Sequence, residues 1–462
     1  MNSGNKLGLY SGAAVCMGLI VATSCLVAIG QGFGLAGKAF IIALVIAAIL
    51  NAFVALSFAE LNRMMPNVTG GLGQYMLVGL GPWASIVSNL SAYVLTSIFS
   101  VSAEVAMTGI VLHGLFPGIS ATVFSLIAVM ILFGLNLLGI DIFSKVQNFT
   151  VALLVGSMAM FGLIGVLGLG SEAIVPAAQM VPEITTFRGV VTLTSIAFWL
   201  FIGVEFIIPV AKELKNPRRD VLLSMIIALV VLLVIQSIMG SGMTMYIGTS
   251  EMLTVQMPHI LYAERLLGET GRVWMSIVTL LAAVSTLNTV LPTVGRILQG
   301  MAEEGMMPRV FMRTNAYDSP WIGMTLLIIC ISIFILSGYV ATNGIINMIL
   351  AGACFWLASY ILTHLNVLVL RKRYPNASRN KKLMFWGIPQ IIGIIGCVFM
   401  IWNISGDMAS RLMIYRVFGI LFISVSLYAC LWVAFVLKTK MFEPTLLGKM
   451  SVDPGVVTKP VV

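Results

Sequence analysis

Long apolar runs, punctuated by Gly, Pro and short charged stretches, recur about twelve times along the 462-residue chain. They fall near 8–31, 39–61, 83–113, 121–140, 147–169, 189–210, 221–247, 272–297, 321–340, 344–370, 385–404 and 412–437. A helix needs about 20 mostly apolar residues to cross the hydrocarbon of a bilayer, and these runs match that length. The pattern predicts an all-α integral membrane protein of about twelve transmembrane helices with short loops. A stretch without periodicity, holding Pro444, Pro454 and Pro460, closes the chain and is expected to form a disordered tail.

Composition agrees. Of the residues 59% are hydrophobic and only 9% charged, with a mean hydropathy of +1.05, against roughly 25% charged in soluble domains. A water-soluble enzyme is excluded, and the apolar excess is too large for one soluble core. The net charge of +9 reports topology rather than nucleic acid. With both termini in the cytoplasm, only Lys38, Arg188, Arg265, Arg272, Arg411 and Arg416 of the 26 Lys and Arg fall outside, a strong positive-inside bias. The expected location is the cell's inner (cytoplasmic) membrane, multi-pass, with N- and C-termini cytoplasmic. The apolar run from Leu7 is too long for a signal-peptide core and reads as a retained first span. The six Cys lie in apolar stretches without metal spacing, and no disulfide framework follows.

Two spans carry residues that interrupt helices. The first holds Gly18, Ala22, Thr23, Ser24 and Cys25 at its middle; the sixth holds Trp199, Gly203, Glu205 and Pro209. A helix can break in a membrane only where the break is buried in protein or lines a wet cavity, and secondary transporters pair such breaks around a midplane site. Breaks in spans one and six predict a 5+5 inverted repeat with discontinuous helices 1 and 6. The first repeat would cover about 8–170 and the second about 189–371, followed by two extra helices at about 385–437 and a cytoplasmic tail at 438–462. The simpler reading of span one is a close helix-packing face.

Glu104 and Glu205 are the acids expected well inside the bilayer, where a charge costs at least a few kcal/mol. Each is either a proton carrier or cation partner, or a carboxyl hydrogen-bonded for structure; Glu104 alternatively lies near the outer end of a tilted helix. Trp199, one turn before Gly203, is either core or the wall of a cavity able to stack on a cation. His364 reads as structural or interfacial, and His113 and His259 fall in outer segments. Hydrolase, zinc-protease, P-loop and dinucleotide motifs are missing from the sequence. No enzyme activity, cofactor or metal site is expected.

Three motifs resemble the amino acid–polyamine–organocation (APC) superfamily of permeases. They are Ala59-Glu60-Leu61 with Pro66, Gly70, Gly71 and Tyr75; Phe198-Trp199 through Gly203-Val204-Glu205 with Glu213, Asn216-Pro217 and Arg219-Asp220; and Arg296 with Met301-Ala302, Glu304-Gly305 and Pro308. The second is similar to the bacterial arginine/agmatine exchanger branch. The resemblance implies alternating access by a secondary active transporter of amino acids or related amines, through proton-coupled symport or exchange. It puts the backbone that holds a substrate carboxylate on Ala22, Thr23 and Ser24, where the family has Gly-Ser-Gly. The added side chains imply either a smaller carboxylate pocket or a substrate without a conventional α-carboxylate. It also implies amine-binding carbonyls near Phe201, Ile202 and Gly203, substrate contacts at Ser100 and Thr286, stacking by Trp199, and proton coupling or gating by Glu205. Span five lacks the Lys that many relatives carry past its inner end. The implied partners are a small-molecule substrate, protons and the lipid bilayer, in a monomer or homodimer. An amino-acid sensor or scaffold with the same fold is the competing reading.

Overall fold

A computed structural model describes residues 7–66, 72–138, 143–208, 211, 214–338, 345–377 and 385–447. Among the described residues nine helical segments are long and apolar enough to cross a membrane, and three further apolar helices are shorter. The first expected span is two helices, α1 (Leu9–Ile20) and α2 (Thr23–Ala36), and the second is α3 (Phe40–Met64). After α4 (Leu72–Gly79), the third span runs from α5 (Pro82–Asn89) through a π-helical turn at Leu90–Leu95 into α6 (Thr96–Leu115). Helices α7 (Ala121–Leu137) and α8 (Phe143–Val166) follow. The sixth span consists of α9 (Phe187–Thr192), α10 (Thr194–Trp199) and a 3-10 turn at Val204–Ile207. Beyond it lie α11 (Pro217–Tyr246), the short α12 (Thr249–Thr254), α13 (Pro258–Glu303), α14 (Trp321–Leu336), α15 (Ile345–Arg373), α16 (Ile388–Trp402) and α17 (Met408–Leu431).

Side chains partition as a lipid solvent demands. Ile42, Ile49, Val230, Val234, Ile333 and Ile420 face outward, while Asn51, Ser88, Asn89, Thr96, Gln236 and Thr363 are fully buried. With no hydrophobic drive between helices, association in a bilayer rests on close packing and interhelical hydrogen bonds. Helices α8 and α11 illustrate the first requirement. Gly165 and Gly242 make room for the Tyr262 hydroxyl, which donates to the carbonyl of Phe161 at 2.9 Å. The last two spans are peripheral: 11% of the most apolar stretch of Met408–Leu437 is buried, against 89% for Pro82–Leu115. The central helices are therefore the place to look for a site.

Two features add to the sequence expectations and one departs from them. A short helix from Pro258 precedes the eighth span, and at Gly268, with φ +63° and ψ −149°, the chain leaves the helical conformation before the span itself. His259, on that short helix, is buried, with Nε2 3.1 Å from Thr279 Oγ1. His364 is also fully buried, its Nδ1 3.0 Å from Ser57 Oγ, which makes it structural. The chain end is ordered through Leu447. Trp83 N–H donates to Met441 O at 3.1 Å and Thr445 N–H to Leu77 O at 2.9 Å, and the Trp83 and Phe442 rings lie 5.5 Å apart. Local composition misled here because the segment is fixed by contacts with α4 and α5. The Gly70–Gly71 part of the first motif, Pro209, Glu213 and the tail beyond Leu447 lie outside the described residues.

Candidate functional site

The first break follows from two residues that leave the helical conformation. Val21 has ψ +79° and Ala22 is extended, with φ −100° and ψ 166°. Helix α2 therefore starts inside the protein, with first-turn N–H groups that lack intrahelical acceptors. Glu104 on α6 supplies them: Thr23 N–H donates to Oε2 at 2.9 Å and Ser24 N–H to Oε1 at 2.7 Å. The Thr23 hydroxyl donates to Thr279 O at 3.1 Å. The Ser24 hydroxyl accepts the indole N–H of Trp199 at 3.3 Å. Glu104 is fully buried, so it does not reach water at the end of a tilted helix.

The second break follows Trp199. The chain turns through Leu200–Gly203, where Gly203 takes φ +110°, a backbone conformation that a Cβ disfavours. The Leu200 carbonyl, released from a continuing helix, accepts the Gln236 side-chain amide at 3.0 Å. The Cys16 thiol donates to Val204 O at 3.4 Å and so joins α1 to the turn after this break. Glu205 leaves the turn toward α15, where its carboxylate accepts Trp356 Nε1–H at 2.8 Å and the Tyr360 hydroxyl at 2.7 Å.

Between the breaks lies a cavity of about 50 Å³. Ala22, Ser24, Ser100, Glu104, Trp199, Ile202 and Thr286 all line it, so seven of the candidate residues converge. Thr23 stands behind Ser24 and faces Thr279. Gly203 and Glu205 do not line the cavity; Gly203 shapes the turn, and Glu205 meets the wall through Trp356. Other walls come from Ile20, Cys25, Ser97, Phe206, Val290 and Trp356. Sequence reasoning missed Trp356 and Tyr360. The available signal was two hydrogen-bonding aromatics four residues apart, one helical turn, on α15. Among the described residues, the lining holds no Lys, Arg or His.

Comparison with protein-family models matches residues 13–447 to the amino acid permease family. The chain belongs to that family. The match takes in both breaks and nearly the whole protein, and the resemblance to the wider APC superfamily holds. The branched-chain amino acid permease BcaP of Bacillus subtilis (strain 168) is 25% identical over 447 residues, covering 90% of this chain and 91% of that protein. The methylthioribose transporter of the same organism is 21% identical over 429 residues, covering 86% of each. The chain is thus a multi-pass membrane transporter rather than an enzyme.

The cavity is too small for a substrate in this structure. A cavity of about 50 Å³ holds a few waters, whereas small-molecule sites run to about 300–1,000 Å³, so a substrate enters only when walls move. At one end of the helix bundle Arg371 on α15 grips Glu60 on α3 in a side-on pair, with Nε–Oε1 3.0 Å and Nη2–Oε2 2.6 Å. Arg63 donates through two nitrogens to the carbonyl of Arg218 at the start of α11, at 3.2 and 2.9 Å. These contacts bind α3 to α15 and α11.

Proposed function

We propose that this permease is a secondary active transporter that moves an amino acid or a related amine across the cytoplasmic membrane, by proton-coupled symport or by exchange. The pocket between the two helix breaks is the substrate site, opened in turn to either side. Supporting this above all is the convergence on one small cavity of Ser24 and Ala22 from the first break, Trp199 and Ile202 from the second, and Ser100, Glu104 and Thr286 from α6 and α13. Polar backbone at a helix interruption is tolerated in a membrane where it serves a cavity. A site spanning two interruptions is able to reshape when the helices rock.

Glu205 is the coupling group in this reading. Its two donors, Trp356 and Tyr360, stand on α15, and Trp356 also faces the cavity. A change of protonation at Glu205 removes an acceptor from one of these donors and so alters the wall. The two five-span repeats, the extra pair α16 and α17, and cytoplasmic termini set by the positive-inside bias complete the assignment. The relatives are named for different substrates, branched-chain amino acids and methylthioribose, so the pocket itself must indicate the substrate.

Counterflow tests the transport claim. Purified protein in liposomes preloaded with one amine or amino acid should accumulate the labelled compound from outside without an energy source, and Trp199→Ala should abolish or sharply slow the accumulation. Specific binding with no counterflow for any member of a panel of amines and amino acids would favour the sensor reading.

A further inference from the structure

We infer that the substrate is a cationic amine without a carboxylate. This rests on the transport reading above and specifies the chemistry of its site. A helix N-terminus buried at a cavity is a ready acceptor of an anionic group, because its first N–H groups and its dipole both favour negative charge. At the start of α2 that capacity is already used. Glu104 spends one oxygen on Thr23 N–H and the other on Ser24 N–H, at 2.9 and 2.7 Å. The protein has built its own carboxylate into the place where a substrate carboxylate would otherwise dock.

The rest of the lining offers an entering anion nothing in exchange. Among the described residues it includes no Lys, Arg or His, and one acid, Glu104; Glu205 lies just behind Trp356. A second carboxylate brought beside Glu104 meets like-charge repulsion in a desolvated space. Two of the hydroxyls have committed their protons to backbone, Thr286 to Ala282 O at 3.0 Å and Ser100 to Ser97 O at 3.5 Å, which leaves their oxygens as acceptors. The carbonyl end of α1, the negative end of its dipole, meets the cavity at Ile20. Trp199, Trp356 and Phe206 give aromatic faces, which attract ammonium groups. Acceptors, aromatic faces and an acid without a basic side chain beside it in the described lining fit a positively charged amine.

Matched pairs differing only in the carboxylate test this on the full-length protein: agmatine against arginine, cadaverine against lysine, isoamylamine against leucine and phenethylamine against phenylalanine. Binding is read by melting-temperature shift and by counterflow. The expected result is at least one amine binding tenfold or more tighter than its amino acid. An amino acid that binds as tightly as its amine, in every pair where either binds, overturns the inference and leaves the permease assignment intact. Discrimination in favour of an amine without counterflow leaves the inference and overturns transport. Binding of neither partner in any pair, by protein that melts cooperatively, overturns both. Glu104→Ala frees the two amides, and the amine-to-amino-acid preference should fall at least tenfold; an unchanged preference contradicts the role of Glu104. Where Glu104→Ala does not fold, the wild-type preference alone decides.

Discussion

Glu205 accepts two hydrogen bonds from a single face of α15, the Tyr360 hydroxyl at 2.7 Å and, one helical turn earlier, the Trp356 indole at 2.8 Å. The turn after the second helix break is thereby anchored to a helix that also walls the cavity. Glu205→Gln keeps the volume but points an amide N–H₂ at a donor, and it cannot change protonation. Counterflow by this variant should lose its dependence on pH while the protein remains folded; a pH profile that matches wild type would remove Glu205 from coupling. Tyr360→Phe deletes one charge-assisted bond and should cost about 1.5–3 kcal/mol of stability, read as a lowered melting temperature.

Trp199 serves the site in two ways, as an aromatic wall and as a donor to Ser24. Trp199→Ala should weaken apparent affinity at least tenfold, about 1.4 kcal/mol. Trp199→Phe keeps a ring and loses the donor, and it should fall between the two. Binding isotherms on purified variants measure both, and equal affinities across the three proteins would reduce Trp199 to packing.

Gly203 adopts φ +110° at the turn between α10 and Val204–Ile207. Gly203→Ala forces a Cβ into that conformation, at a cost of about 1–3 kcal/mol. A lower melting temperature is expected, together with a loss of counterflow larger than the loss of folded protein. Wild-type stability and flux would show that the turn is able to relax.

Glu60 and Arg371 form a nearly buried pair, with side chains 9% and 10% exposed. Removing one partner takes a close counter-charge from the other, so Arg371→Ala should destabilise, by up to about 3–5 kcal/mol. The double variant Glu60→Ala/Arg371→Ala should recover part of that loss. A double-mutant cycle by thermal melting measures the coupling; additive losses would mean the two residues act separately.

The helical framework was legible because a bilayer imposes a length on every apolar run, and the two breaks because Gly, Ser and Glu are conspicuous inside such runs. Trp199 and Glu205 were legible by their spacing around Gly203. The partner of Glu104 was not. Thr23 and Ser24 lie 81 and 80 residues away, and only the crossing of α2 with α6 brings them together. Trp356 and Tyr360 escaped notice because the polar residues of α15, Ser359, Thr363, His364 and Asn366 among them, mark no single face, and the helix's orientation is chosen by its neighbours. The tail through Leu447 escaped for the same reason: Leu447 N–H meets the Tyr374 hydroxyl at 3.3 Å, a contact invisible to local composition.

The most direct test of a single pocket opened alternately to both sides is thiol labelling of Ser100→Cys in a protein whose native cysteines have been replaced. Membrane-impermeant reagent is applied to right-side-out and to inside-out vesicles, with and without a transported amine. Alternating access predicts that Cys at position 100 reacts from both sides and that the amine slows both reactions. Labelling confined to one side, or unaffected by any compound that exchanges, would contradict it.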